Sequence, residues 1–239
     1  DKIILYKTEN GHGAQRARNT GIAHARGKYI AFLDDDDEWL PEKLSRQVEI
    51  LDAEPLTGMC YCDSIIVNEN FTPPQEILKK PGSFKTDAGY KDMLRRDYVG
   101  STSKALIRKS ALEHVGGFDE AFPARQDYEM WIRLSHSFAI RGIDERLIKY
   151  HISKGTDQIS KNWDNCIDGH LKLYEKYRAD IDKDPEARFN IFFYLAHYYR
   201  MKGNKFKALK NYLRSLAISP KCFKEMALIK LRQQKGEAI

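Results

Sequence analysis

An α/β fold, with a mixed but mainly parallel sheet, flanking helices and an all-α C-terminal segment, is predicted by three observations. The run Tyr29-Ile-Ala-Phe-Leu33 is too short for a helix and rich in strand formers, and it stops abruptly at four carboxylates, Asp34 to Asp37. Strand and helix patterns alternate on either side of it as far as about Ser160. Beyond Ser160 the composition changes to helix formers with little strand character.

Bulk properties set the bounds. A chain of 239 residues is long enough for one large α/β domain, or for a domain with an appendage. With 31% charged and 42% hydrophobic residues it belongs among soluble globular proteins. No apolar run approaches the roughly 20 residues needed to span a bilayer, so a cytoplasmic setting is expected. Cys60, Cys62, Cys166 and Cys222 lack paired CxxC spacing and read as reduced thiols. The net charge of +6 is uneven: residues 1–160 carry 23 Lys/Arg against 25 Asp/Glu, and 161–239 carry 17 against 9. The basic excess therefore belongs to the C-terminal part, where Arg200 to Lys235 holds 11 basic residues and one acidic residue, Glu225.

Taken in order, Ile3-Ile-Leu-Tyr6 reads as a short strand. Gly11 and Gly13 permit close approach of a ligand, and Ala14, Ala17, Ala23 and Ala25 favour a closely packed helix ended by Gly27. Arg16 and Arg18, near that helix's start, are placed to meet phosphate, although a solvated surface is the plainer use of such arginines. Tyr29–Leu33 reads as a strand buried on both faces, as in a parallel sheet. Asp34 to Asp37 then sit at its carboxyl end, where ligands bind in open α/β sheets. Adjacent carboxylates need a cation or a set of donors, and hard oxygen ligands suit Mg²⁺ or Mn²⁺. An acidic loop leading into a helix is the alternative.

A helix from Pro41 to Ala53 follows, with Leu44, Val48 and Leu51 at helical spacing. Met59–Val67 and Ser101–Ile107 read as strands, and residues 71–88 as a loop over the sheet that acts as a lid. Lys109–His114 is a short helix closed by Gly116-Gly117. Tyr128, Trp131, Ile132 and Leu134 give the next helix its apolar face, and Asp127 falls at its start, where an N-cap is the simplest role. Phe138–Ile143 and Arg146–His151 read as two short strands, the second delivering His151 into a polar loop ending at Ser160; a lone histidine is more often structural than a ligand. Helices are expected over about 161–178, 185–201 and 205–218, with a fourth from Pro220.

Three segments, Asn10 to Trp39, Val115-Gly-Gly-Phe-Asp-Glu120 and Gln126-Asp-Tyr-Glu-Met-Trp-Ile-Arg-Leu134, together closely resemble family 2 glycosyltransferases of the GT-A fold over roughly residues 1–160. The resemblance implies that Asp34 and Asp36, with Asp37 as an extra candidate, hold a divalent metal, Mn²⁺ or Mg²⁺, on the diphosphate of a nucleotide sugar. It makes Asp127 the catalytic base, with Gln126 standing where glutamate is commoner, and makes His151 a metal or diphosphate contact. Gly11, Gly13, Arg18, Asp34, Asp35 and Lys43 become donor-binding candidates. It also implies a fragment, because the family's first strand–helix–strand unit does not precede Asp1.

The expected activity is inverting transfer of a sugar, from a UDP-sugar foremost, to a hydroxyl of a glycan or lipid-linked acceptor in cell-surface polysaccharide synthesis. A noncatalytic sugar-nucleotide-binding scaffold is the alternative. Residues 161–239 form a helical arm in which 194–220 look like one tetratricopeptide-type hairpin, with Phe206, Leu209, Leu213 and Leu216 facing inward onto the catalytic domain or a second copy. Its basic residues face anionic membrane at the inner leaflet or simply water; nucleic acid is not expected, since the aromatics there do not interleave with the basic residues.

Overall fold

The structure, a computed structural model, describes residues 3–6, 13–77, 84–152 and 162–224. Gly11, residues 78–83 of the expected lid, the whole polar loop from Ser153 to Ser160 and the last fifteen residues lie outside these. Residues 3–6 form no strand and are exposed, Ile3 completely, since no described strand lies beside them to pair their backbone groups. Tyr6 instead stacks its ring on His24, with centroids 4.0 Å apart.

Six strands make one sheet: β1 (Tyr29–Ala31), β2 (Glu38–Trp39), β3 (Thr57–Asn68), β4 (Gln75–Ile77), β5 (Ala105–Arg108) and β6 (Ala139–Ile152), in the order β1-β5-β3-β6-β2 with β4 beside β3. The sheet is mixed, and its parallel share is confined to β3 and β6. The other pairings among the described strands are antiparallel, including β1 with β5. The apolar run at Tyr29 therefore does not sit between parallel neighbours: only Ile30 of β1 is fully buried. The two short strands expected over 138–151 are one long strand, β6, which passes the irregularity opposite Asp63 by shifting register.

Helices cover the sheet. α1 (Gly13–His24), α4 (Lys109–Val115) and α5 (Gln126–Ser137) share one large core with Met59, Tyr61 and Ile107 of the sheet. α2 (Lys43–Ala53) closes a smaller core around Leu51, Cys60, Cys62 and Ile148. None of the four cysteines is in a disulfide, and burial raises the thiol pKa of Cys60 to about 12 and of Cys62 to about 11, so both stay protonated.

The C-terminal helices join the large core. α3 (Tyr90–Arg95), α6 (Trp163–Lys176), α7 (Arg178–Ile181) and α8 (Pro185–Met201) bring Ile167, Leu173, Ile181, Ile191 and Leu195 into contact with residues around the sheet. Asp184 caps α8 through the N–H groups of Glu186 and Ala187 and pairs with Arg95 at 2.8 Å. α9 (Lys205–Ile218) turns back on α8 at Gly203, whose φ of +84° favours glycine, with Asn204 as its N-cap. Its orientation reverses the expected one. Ala208, Asn211 and Ser215 meet α8, while Phe206, Leu209, Leu213 and Leu216 face outward. Asn211 and Ser215 bond to carbonyls of their own helix, so the small polar face can be buried without unsatisfied groups.

Candidate functional site

The site is built around the turn that ends β1. The Asp37 N–H donates to the Asp34 carbonyl at 3.1 Å, folding the four aspartates into a tight loop before β2. Asp35 and Asp36 are exposed, Asp34 is half-buried and Asp37 is buried. Residues 101–104, expected as the start of a strand, form a one-turn 3₁₀ helix instead, because the Ser101 hydroxyl accepts the Ser103 N–H. That turn cradles the acidic loop. The Asp34 N–H donates to the Ser103 hydroxyl at 3.0 Å, Thr102 Oγ1 donates to Asp34 Oδ2 at 3.2 Å and Ser101 Oγ to Asp37 Oδ2 at 3.1 Å. Trp39 Nε1 locks the far side onto the Ser103 carbonyl at 2.9 Å.

Arg18 projects from α1 to meet this loop. Its Nη2 donates to Asp34 Oδ1 at 2.7 Å, and its guanidinium lies over the Phe118 ring. Its Nη1 is buried and makes no hydrogen bond among the described residues. α1 is fixed by Asn19, which holds Phe118 by a two-way pair, Nδ2 to the carbonyl at 2.9 Å and the Phe118 N–H to Oδ1 at 2.8 Å. A side chain at Gly117 would break that pair: an added Cβ would stand 2.7 Å from Asn19 Oδ1, at a φ of +71°.

Asp127 stands in the first turn of α5, so the N-cap expectation is not met: Arg125 occupies the cap position in a left-handed conformation with φ 66°. A non-glycine residue held there costs of order 1–3 kcal/mol. Arg125 is held by the Tyr198 hydroxyl of α8. The Asp127 carboxyl is half-buried and accepts the Tyr128 N–H at 2.8 Å. Burial first, then the Asp97 carboxylate, raises its pKa to about 6, against the lowering effects of that N–H, Arg125 and Arg18. The neighbouring Gln126 Oε1 is buried with no hydrogen-bond donor among the described residues.

Asp127 and the acidic loop share one electrostatic environment. Arg18 pairs with Asp34 and also acts on Asp127. Burial raises the Tyr150 hydroxyl to about 12, helped by Asp37, Asp36, Asp127 and Asp34 together. Asp37 itself is raised, by burial and then by Asp36 and Asp34, against hydrogen bonds from Ser103 and Ser101.

The other candidates fall elsewhere. His151 donates its backbone N–H to Asp37 Oδ1 at 3.4 Å, but its ring faces two glutamates, with Nδ1 2.9 Å from Glu69 Oε1 and Nε2 3.3 Å from Glu38 Oε1. Gly13 opens α1, and Gly11 lies outside the described residues. Lys43 points away from the loop. It is fully buried against the Trp39 ring and Gln47 Oε1, and burial lowers its pKa to about 8. Among the described residues, no three His, Cys, Asp or Glu side chains converge as a ready metal site.

Sequence reasoning missed two features. The 101–104 hydroxyl cradle was signalled only by three consecutive hydroxyl residues, read as strand. Glu129 was the other: it is wholly buried, taking Arg133 Nη2 at 2.6 Å, Tyr177 OH at 2.8 Å and Lys176 Nζ at 2.9 Å. Arg133 continues to the Val115 and Gly117 carbonyls, tying α5 to the turn that holds α1.

Residues 1–116 match the family model described as glycosyl transferase family 2. An uncharacterised glycosyltransferase of Methanocaldococcus jannaschii is 26% identical over 84% of this chain and 67% of its own length. A UDP-Glc:alpha-D-GlcNAc-diphosphoundecaprenol beta-1,3-glucosyltransferase of Escherichia coli is 28% identical over 68% of this chain and 63% of its own length. A Pyrobaculum calidifontis mannosyltransferase, solved with GDP-Man and Mn²⁺, shares the fold at a TM-score of 0.52, 14% identity, 96% of this chain and 62% of its own. The chain thus has the fold of that structure and resembles glycosyltransferases in sequence. No helix among the described residues is long and apolar enough to cross a membrane.

Proposed function

We propose that the protein transfers a sugar from a nucleotide diphosphate, a UDP-sugar foremost, to a hydroxyl of a glycan or lipid-linked acceptor in polysaccharide synthesis, with inversion at the anomeric carbon. The observation that carries this reading is the Arg18 bridge: one guanidinium pairs with Asp34, acts on Asp127 and keeps a buried N–H without a partner. A diphosphate oxygen is the natural acceptor for that N–H. The E. coli relative's UDP-glucose donor and lipid-linked acceptor support the substrate classes.

The donor chemistry fits a hard divalent cation. Asp34, Asp36 and Asp37 offer oxygens, and burial, with a smaller part from Asp36 and Asp34, raises the Asp37 pKa, a cost to its charge that a cation would offset. Asp36 and Asp37 would hold it beside the diphosphate, which would complete the coordination, and the ion would neutralise charge developing on the leaving nucleotide. Arg18 would bind the same diphosphate and keep Asp34 in place. Ser101, Thr102 and Ser103 would fix the loop so that its carboxylates need not reorganise.

Asp127, with a pKa of about 6, is mostly ionised at neutral pH yet basic enough to take a proton. It would accept the acceptor's hydroxyl proton as that oxygen attacks the anomeric carbon opposite the diphosphate. Direct displacement of this kind inverts the centre. Gln126 Oε1 would accept a hydrogen bond from a hydroxyl of the same substrate.

Asp127→Asn tests this. Turnover should fall about 10²–10⁴-fold while donor binding, read by calorimetry, stays within about twofold. Unchanged turnover would reject Asp127 as the base.

A further inference from the structure

Helix α9 carries an apolar row with no described residue over it. Phe206 is 80% exposed, Leu209 58%, Leu213 56% and Leu216 38%, and their spacing places them on one face. Ala217, Lys210 and Arg214 line the same shallow groove. A contiguous apolar patch of this kind on a water-facing helix marks an interaction surface.

The charge along this stretch of chain is one-signed, although Lys202 is paired with Asp164 of α6. From Arg200 to Lys224 the chain holds eight Lys or Arg and no Asp or Glu. Lys205, Lys207, Lys210 and Arg214 are all exposed on the helix that bears the apolar row. The geometry points to an anionic lipid surface as the occupant of this face. An interfacial helix has this composition: large apolar groups enter the acyl boundary while long basic side chains reach back to the headgroups. A second copy fits poorly, since two such faces would bring like charges together with no acid on either helix to compensate.

The surface is linked to the site. α9 packs on α8, and α8 supplies the Tyr198 that holds Arg125 at the start of the helix bearing Asp127. A membrane under α9 would lie one helix layer beyond α8, about 8–10 Å between axes. The use of this for a lipid-linked acceptor rests on the proposed function; the lipid binding itself does not.

Co-sedimentation with vesicles of phosphatidylcholine alone, or with about 30% phosphatidylglycerol, in about 0.05 and 0.5 M NaCl decides the matter. The protein should pellet with anionic vesicles and be released by salt. The double substitution Leu209→Ser, Leu213→Ser should weaken binding about tenfold or more, and Lys210→Gln or Arg214→Gln about fivefold each. These positions are exposed, so circular dichroism and donor hydrolysis without vesicles should match the wild type, which separates this surface from the transfer reaction. Equal binding to neutral vesicles, or full binding by the double variant, would overturn the proposal. So would absence of vesicle binding together with a dimer that the leucine substitutions dissolve.

Discussion

Two groups of carboxylates in this molecule are treated in opposite ways. Glu129 is sealed from solvent but receives Arg133, Lys176 and Tyr177, so its charge is matched on both oxygens. Asp34 and Asp127 share Arg18, while Asp37 and Asp127 are raised toward the neutral form. The compensated carboxylate holds the frame, and the under-compensated ones are left with capacity for a substrate or a cation. Where a protein leaves negative charge unbalanced, ligand binding can settle it; where it balances charge internally, the group is spent on architecture.

The contrast can be broken from either side. Glu129→Gln should have the largest effect, about 3 kcal/mol of unfolding free energy in urea, because it removes the buried charge that Lys176 and the half-buried Arg133 meet. A loss below about 1 kcal/mol would mean that the pairing carries no structural weight. Arg18→Gln should come next, raising the donor KM about tenfold or more with little change in Tm, from loss of a charge-assisted contact. Its second effect is on pH: Arg18 lowers the Asp127 pKa, so its removal should move the acid limb of activity upward. Asp97→Asn should have the smallest effect and the opposite sign. Asp97 raises Asp127, so neutralising it should move the same limb to lower pH without altering donor affinity.

The motifs of the site were legible in the sequence because they are local: an apolar run ended by four aspartates, and an aspartate opening an apolar-faced helix. Their partners were not. Ser101 to Ser103 read as strand because three hydroxyl residues ahead of Ala105-Leu-Ile give no signal of a 3₁₀ turn, whose cause is a side-chain bond to the Ser103 N–H. Tyr29–Leu33 has the composition of a doubly buried strand, yet composition cannot name its neighbour, and among the described strands β1 pairs with β5 alone. Lys43 was a donor-binding candidate only through the family resemblance. One residue's rotation on α2 places it instead over Trp39 in the interior, with Gln47 as its acceptor. On α9 the hydrophobic periodicity was read correctly and assigned to the wrong side. Asn211 and Ser215 satisfy themselves within the helix, which makes the small face the one that can approach α8.

The central claim is that Asp127, raised to about 6 by burial and by Asp97, removes the acceptor's proton. The pH dependence of kcat/KM between about 4.5 and 8 tests it most directly. Below about pH 6 the rate should fall tenfold for each unit as the Asp127 carboxylate is protonated, and Asp127→Asn should lose that limb along with most of its activity. A wild-type profile that stays flat down to about pH 4.5 would contradict the assignment.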